Sequence, residues 1–234
     1  MEIQLDGPGQ YEKYREDDTV LYMAKQGPIL DEYMDLAERL RPKNILELGV
    51  FRGGSAVFFH RLFTPDRLVG IEREDRPPPR LQAYMETEGA DVMKVYYGVD
   101  QGDAAAVDRI VRENFPHGID LVVDDASHWY EPTKASFEAV FPYLRPGGLF
   151  ALEDWDWAQT PGMQEPGALW SDRAALTNLL LEIVIAHGHP AALFEEVVFR
   201  RSVVYVRRGR GAVTPGEFRL DDFLLTRGKP LAKL

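Results

Sequence analysis

The chain contains no cysteine. Disulfides, thiolate metal sites and a cysteine nucleophile are therefore excluded. Basic residues are in short supply: 27 Lys and Arg stand against 38 Asp and Glu, for a formal net charge of −11. A nucleic-acid substrate is disfavoured, because phosphate contacts need a basic face, although a local basic patch could survive that balance. No apolar run is long enough to span a bilayer, and no basic segment followed by an apolar one opens the sequence. No membrane association is expected, and a cytoplasmic location is the default expectation. There are no internal repeats and no low-complexity segment. The 234 residues suffice for one α/β domain with a sizeable core and some additional pieces.

What is present is concentrated between Ile119 and Trp157. This stretch reads IDLVVDDASHWY, then a helical segment, then LRPGGLFALEDWDW. Two buried-looking strands, Leu121–Val123 and Leu149–Leu152, each end in acids: Asp124 and Asp125 after the first, Glu153 and Asp154 after the second. In a parallel α/β sheet both pairs would emerge at the carboxyl ends of the strands, where ligands bind. Neighbouring strands lie about 4.8 Å apart, so acids at the two tips can share one cation. His128 follows on the same loop. Carboxylates and an imidazole at one sheet edge suit a hard metal with a base beside it. An Asp-Asp pair alone would more simply be a helix cap or a solvated loop. Two pairs of the same polarity on consecutive strands favour function, since converging like charges repel unless something positive lies among them.

Upstream, apolar positions over Ile29–Leu40 recur at helical spacing, and Arg41-Pro42-Lys43-Asn44 ends that helix. Ile45–Gly49 is a short strand, followed by Val50-Phe51-Arg52-Gly53-Gly54-Ser55 and an apolar helix from Ala56 to Leu62. A glycine-rich turn before a helix offers free N–H groups and a positive dipole end. The dinucleotide fingerprint would need a second glycine at position 51, where Phe stands, which argues against NAD. The bland alternative is a tight strand–helix connection. Arg67–Glu72 is a second strand ending in an acid, about 20 residues beyond the turn, where a carboxylate can hold ribose hydroxyls. A helix is expected around Leu81–Thr87, a strand over Val92–Tyr97, and then a polar loop, Gly98–Asp103, that could reach an adenine edge. Asp103 reads as the N-cap of a helix over Ala104–Glu113.

Downstream, Pro132–Leu144 reads as a helix and Asp172–Ala186 as another. The long connection from Trp155 to Trp170 is rich in Trp, Pro and Gly; it suits either a sugar-type ring or anchoring of the loop itself. Glu195–Phe199 and Ser202–Val206 form an antiparallel closing pair around Arg200-Arg201. The tail after residue 208 carries an apolar patch, Phe218–Leu225, that fits a homo-oligomer or partner contact, or packing on the domain.

The order of these pieces resembles the class I S-adenosylmethionine-dependent methyltransferases. Within them it is most similar to the metal-dependent sugar O-methyltransferases of macrolide biosynthesis, with the cephalosporin-hydroxylase-like proteins beside them. The residues that carry it are ELGVFRGGS (Glu47–Ser55), DQGD (Asp100–Asp103), DDASH (Asp124–His128) and PGGLFALED (Pro146–Asp154), and the similarity runs from Ile45 to Val206. It implies a Rossmann-like, doubly wound α/β sheet, mostly parallel with an antiparallel closing strand. The resemblance further implies that Glu47, Gly49, Gly53, Gly54 and Ser55 lie at the methionine part of the cofactor. Glu72 would bind its ribose, Asp100 and Gln101 lie near adenine, and Asp124 lie near the cofactor. Asp125, Glu153 and Asp154 would hold Mg²⁺, and His128 would be the general base.

The expected organisation is an arm and helix over 1–44, a methyltransferase domain over 45–208 and a tail over 209–234. The expected activity is methylation of a sugar hydroxyl on a small-molecule glycoside or an oligosaccharide. The alternatives are methylation of a catechol or other small phenol, and a non-catalytic partner protein that binds cofactor without turnover.

Overall fold

Short apolar runs bounded by Gly, Pro and Asn become the strands, and segments of helical period become the helices. The computed structural model describes residues 3–5, 13–14, 17–25 and 27–234, so part of the arm expected within 1–44 lies outside the described residues. The chain divides into two compact units, residues 1–100 and 101–234.

In the first unit, β1 (Ile3–Leu5) pairs in parallel with β2 (Leu21–Met23). Helix α1 (Gly27–Arg39) buries Ile29, Tyr33 and Leu36, one face at i, i+4, i+7. Strands β3 (Asn44–Leu48), β4 (Arg67–Ile71) and β5 (Met93–Tyr96) are parallel in the order β5-β4-β3, with Leu46 opposite Val69 and Val69 opposite Lys94. The interiors of β3 and β4 are buried throughout, as their continuous apolar runs require of strands covered on both faces. Helix α2 (Gly54–Phe63) follows β3. Helix α3 (Pro79–Met85) begins two residues before the expected Leu81, because the fixed φ of proline suits the first helical turn.

In the second unit, α4 (Ala104–Asn114) is capped as expected: the Asp103 side chain accepts the N–H of Ala106 at 3.0 Å. Strand β6 (Ile119–Asp124), helix α5 (Tyr130–Val140), strand β7 (Leu144–Glu153), helix α6 (Thr177–His187) and strands β8 (Phe194–Arg200) and β9 (Val203–Arg208) complete it. The strand order is β6-β7-β9-β8. The first pair is parallel and the other two are antiparallel.

Three elements differ from the sequence reading. Helix α5 stops at Val140 and passes into a 3-10 turn, Phe141–Tyr143, where Pro142 cannot donate to the helix. Strand β7 already starts at Leu144 and runs through Pro146-Gly147-Gly148, with Gly147 at φ 85 and a register shift against β6 between Ile119 and Leu121. Helix α6 starts at Thr177, not Asp172, because the backbone of Ala174 and Ala175 is engaged elsewhere: Tyr130 donates to the Ala174 carbonyl, and Ala175 bridges Trp129.

The core of this unit is aromatic. Phe137 meets Phe141, Phe150 and Phe194 at ring centroid distances of 5.1, 5.0 and 6.3 Å. Phe218 from the tail joins them 5.4 Å from Phe141, and Leu220 is fully buried, so this part of the tail packs on its own unit. The architecture is thus α/β and Rossmann-like: parallel strands throughout β3–β5, then a parallel pair with an antiparallel edge. Among the described residues no helix is long and apolar enough to cross a membrane.

Candidate active site

In the first unit the β3–α2 turn is held by an acid from the next strand. Val50 and Phe51 donate their N–H groups to Glu72 Oε2 at 2.9 and 2.6 Å, and Glu74 N donates to Oε1 at 2.9 Å. Phe51 has a left-handed backbone, φ 50, which a bulky residue adopts only where its surroundings impose it. Two charge-assisted bonds from consecutive N–H groups to one carboxylate oxygen supply that imposition. Glu72 therefore shapes the turn and lies 8% exposed beside it. Gly49 and Gly53 both take φ 85, the conformation that glycine allows without strain.

The need for glycine at 53 and 54 is set by the protein. A Cβ on Gly53 would lie 2.7 Å from Leu81 Cδ2, and one on Gly54 would lie 2.5 Å from the Tyr22 carbonyl oxygen. Ser55 is buried in the first turn of α2, and Glu47 is wholly buried in β3. Sequence reasoning missed the strap across this turn. Asp18 pairs with Arg52 and Arg76, each at 2.5 Å, and the Phe51 and Tyr22 rings meet edge-on. Separations of 34 and 58 residues leave no local signal for those pairs. Asp100 is exposed at the end of this unit.

In the second unit Gln101 is 5% exposed, and its amide is fully engaged. Its Nε2 lies 3.1 Å from both Asp124 oxygens and from Ser136 Oγ, while its Oε1 accepts the N–H of Ser127 at 2.7 Å. Asp124 is the last residue of β6 and is buried. Loss of hydration pushes its carboxyl up to about 6, against the hydrogen bonds from Ser136 and Gln101 and the charge of His128.

The acids converge beyond the strand ends. Asp124 stands opposite Leu152 in the parallel ladder, so Asp125 and Glu153 are the next residues on the two strands. One ligand atom from each of Asp125, His128 and Asp154 lies within 4.8 Å of the others, and all three are half-buried. His128 Nε2 is 4.0 Å from Asp125 Oδ1. His128 and Asp154 both have left-handed backbones, φ 58 and 50, and Asp154 N donates to the Ser202 carbonyl at 2.7 Å. Strain gathered on residues of one cluster is typical of functional sites. Glu153, the remaining acid of the expected metal set, is 1% exposed at the end of β7 and lies outside this group.

The donor chemistry fits Mg²⁺. The Asp125 and Asp154 carboxylates offer oxygen donors within 4.8 Å of one another, the ligand type this ion prefers. Two hard carboxylates suit the ion, and the imidazole, a softer donor, suits a proton acceptor next to it.

The Trp-rich connection, residues 154–176, is anchored on both sides. Trp155 donates to the Arg200 carbonyl and packs edge-on against Phe199. Trp157 donates to the His128 carbonyl at 3.0 Å. Trp170 meets Trp157 at 4.6 Å and Trp129 at 6.1 Å, and the Arg173 guanidinium covers Trp129 at 4.4 Å.

The chain is similar to several known proteins. A family model described as a methyltransferase domain matches residues 46–155. Mycinamicin VI 2''-O-methyltransferase of Micromonospora griseorubida is 33% identical over 125 residues, half of this chain and 28% of that protein. Demethylmacrocin O-methyltransferase of Streptomyces fradiae is 30% identical over 133 residues, 53% of this chain and 31% of that protein. The chain thus matches about a third of the length of these relatives. The solved structure of MycE methyltransferase from the mycinamycin biosynthetic pathway, in complex with Mg, SAH and mycinamycin VI, superimposes with a TM-score of 0.59 at 26% identity. It covers 79% of this chain and 49% of MycE. The O-methyltransferase TomG from Streptomyces achromogenes, solved with SAM, shares the fold at 17% identity, with a TM-score of 0.54 over 86% of this chain and 87% of TomG.

Proposed function

We propose that the chain, which is similar over about half its length to O-methyltransferases of macrolide biosynthesis, methylates a sugar hydroxyl of a glycoside or oligosaccharide, using S-adenosylmethionine and Mg²⁺. The observation that carries the reading is the convergence of Asp125, Asp154 and His128 beyond the ends of the parallel strands β6 and β7. The relatives named above support it, since the two enzymes are O-methyltransferases and the MycE structure is a complex with Mg, SAH and mycinamycin VI.

In this reading Asp125 and Asp154 would hold Mg²⁺, and Glu153, expected from the sequence as a third ligand, stays outside the group. A divalent cation held there would supply Lewis-acid activation of the acceptor hydroxyl. His128 takes the hydroxyl proton at an imidazole nitrogen. Glu47, Gly49, Gly53, Gly54 and Ser55 flank the methionine part of the cofactor. Glu72 Oε1, which accepts one N–H in the structure, has a lone pair left for a ribose hydroxyl. Asp100, Gln101 and Asp124 complete the cofactor set, with Gln101 acting through Asp124 and the loop it holds. The cofactor would supply the methyl group, and positioning of the reactants by such residues would supply much of the rate.

The test is transfer of labelled methyl from S-adenosylmethionine to a panel of glycosides and catechols, with and without chelator. Turnover on a glycoside that stops under chelation and returns with Mg²⁺ is expected. Turnover confined to catechols, or undiminished in verified metal-free protein, overturns the reading.

A further inference from the structure

We propose that Trp157 is a positioning residue for His128, clamping the backbone of the 125–129 loop so that the imidazole faces the two carboxylates. The inference rests on the proposed role of His128. It goes beyond that role by assigning a mechanical function to the Trp-rich connection.

His128 takes φ 58, a conformation that a non-glycine residue keeps only where neighbouring groups over-determine it. The loop is fixed at its start by Ser127 N donating to Gln101 Oε1 at 2.7 Å, and at its end by Tyr130 N donating to the Ala174 carbonyl at 3.3 Å. Between those points the carbonyl of His128 receives the indole N–H of Trp157, 29 residues away in sequence, at 3.0 Å. The indole is itself held: Trp170 meets it edge-on at 4.6 Å, and Trp170 also meets Trp129, the residue that follows His128, at 6.1 Å. The peptide between His128 and Trp129 is thus gripped at its oxygen by one indole and at its side chain by a chain of two rings. Rotating that peptide swings the imidazole away from Asp125, 4.0 Å distant, and from Asp154. Outer contacts that orient site residues in this way commonly change metal affinity or activity by roughly ten- to a hundredfold when removed.

Two variants isolate the clamp. Trp157→Phe removes the N–H together with part of the ring. Replacement of Trp157 by 3-benzothienylalanine keeps the bicycle and exchanges only N–H for sulfur, so it tests the bond even if the phenylalanine variant folds badly. Trp155→Phe, which loses the corresponding bond to Arg200 on the same connection, is the control. The first readout is amide hydrogen exchange over residues 124–131 in metal-free protein. The second is Mn²⁺ affinity by electron paramagnetic resonance, without acceptor or cofactor.

The clamp predicts faster exchange over 124–131 in both Trp157 variants, parental exchange there in the Trp155 variant, and Mn²⁺ binding weakened roughly tenfold or more by the isostere. Parental exchange in the benzothienyl protein overturns the clamp. Changed exchange with no Mn²⁺ bound by the parent protein upholds the clamp and removes the metal reading instead. Changed exchange with Mn²⁺ bound equally well by parent and isostere refutes the link from the loop to the metal group.

Discussion

Gln101 and Asp124 are locked together, with the amide nitrogen of one 3.1 Å from both carboxylate oxygens of the other. The pair is buried, and burial raises the Asp124 carboxyl from 3.8 to about 6. Between those two values the folded protein holds a proton that the unfolded chain has released. The stabilisation is full below about pH 3.8 and is lost as pH rises through about 6, by on the order of 2–3 kcal/mol. Asp124→Asn removes this term. In chelator, the stability difference between variant and parent should shift toward the variant from pH 4 to pH 6 and then level off. Urea midpoints at several pH values measure it, and a difference independent of pH contradicts the assignment.

Glu72 should matter to the first unit before any cofactor arrives. Glu72→Ala leaves the N–H groups of Val50 and Phe51 without their carboxylate, and Phe51 without what holds its left-handed backbone. A loss of about 1.5–3 kcal/mol of stability is expected, the worth of hydrogen bonds to a charged group. Calorimetry should also show weaker S-adenosylmethionine binding. A variant with parental stability would remove Glu72 from its role in the turn.

Gly54 faces strand β2, so Gly54→Ala is expected to destabilise by overpacking, by about 1–3 kcal/mol. The new Cβ would meet the Tyr22 carbonyl oxygen at 2.5 Å and Met23 Cβ at 2.7 Å. Thermal unfolding without cofactor isolates this effect. An alanine variant that melts like the parent but binds cofactor poorly would show that the glycine serves the ligand.

His128→Ala should lower methyl transfer by about 10²–10⁴-fold if proton removal limits the rate. Its affinity for S-adenosylmethionine should stay near the parental value. Steady-state rates at saturating acceptor, set beside a direct cofactor titration, separate the two quantities. Parental turnover ends the general-base role.

Much of this was readable from the sequence. The apolar runs of β3, β4 and β6 and the Asp103 cap are local signals, and they appear within a residue or two of their expected places. The acid pairs after β6 and β7 could be found because strand ends carry their side chains out of the ladder together. Which acids converge was not readable. Asp154 joins Asp125 and His128 while Glu153 stays buried beside it, a matter of side-chain direction at one strand end. The start of α6 was misplaced because Ala174 and Ala175, within a stretch of helical composition, are held by backbone contacts to Tyr130 and Trp129. Asp18 reaching Arg52, and Trp157 reaching His128, depend on folded proximity that no periodicity encodes.

The four tryptophans of the chain, at 129, 155, 157 and 170, all fall within the loops around the candidate metal group. Residues 1–100 contain none. Tryptophan fluorescence of this protein, excited beyond the tyrosine band, is consequently a local instrument. A melting curve followed by that emission reports the loosening of the His128 corner and not the glycine turn. Circular dichroism of the same sample would register both, so any gap between the two curves would measure how far one corner opens before the rest.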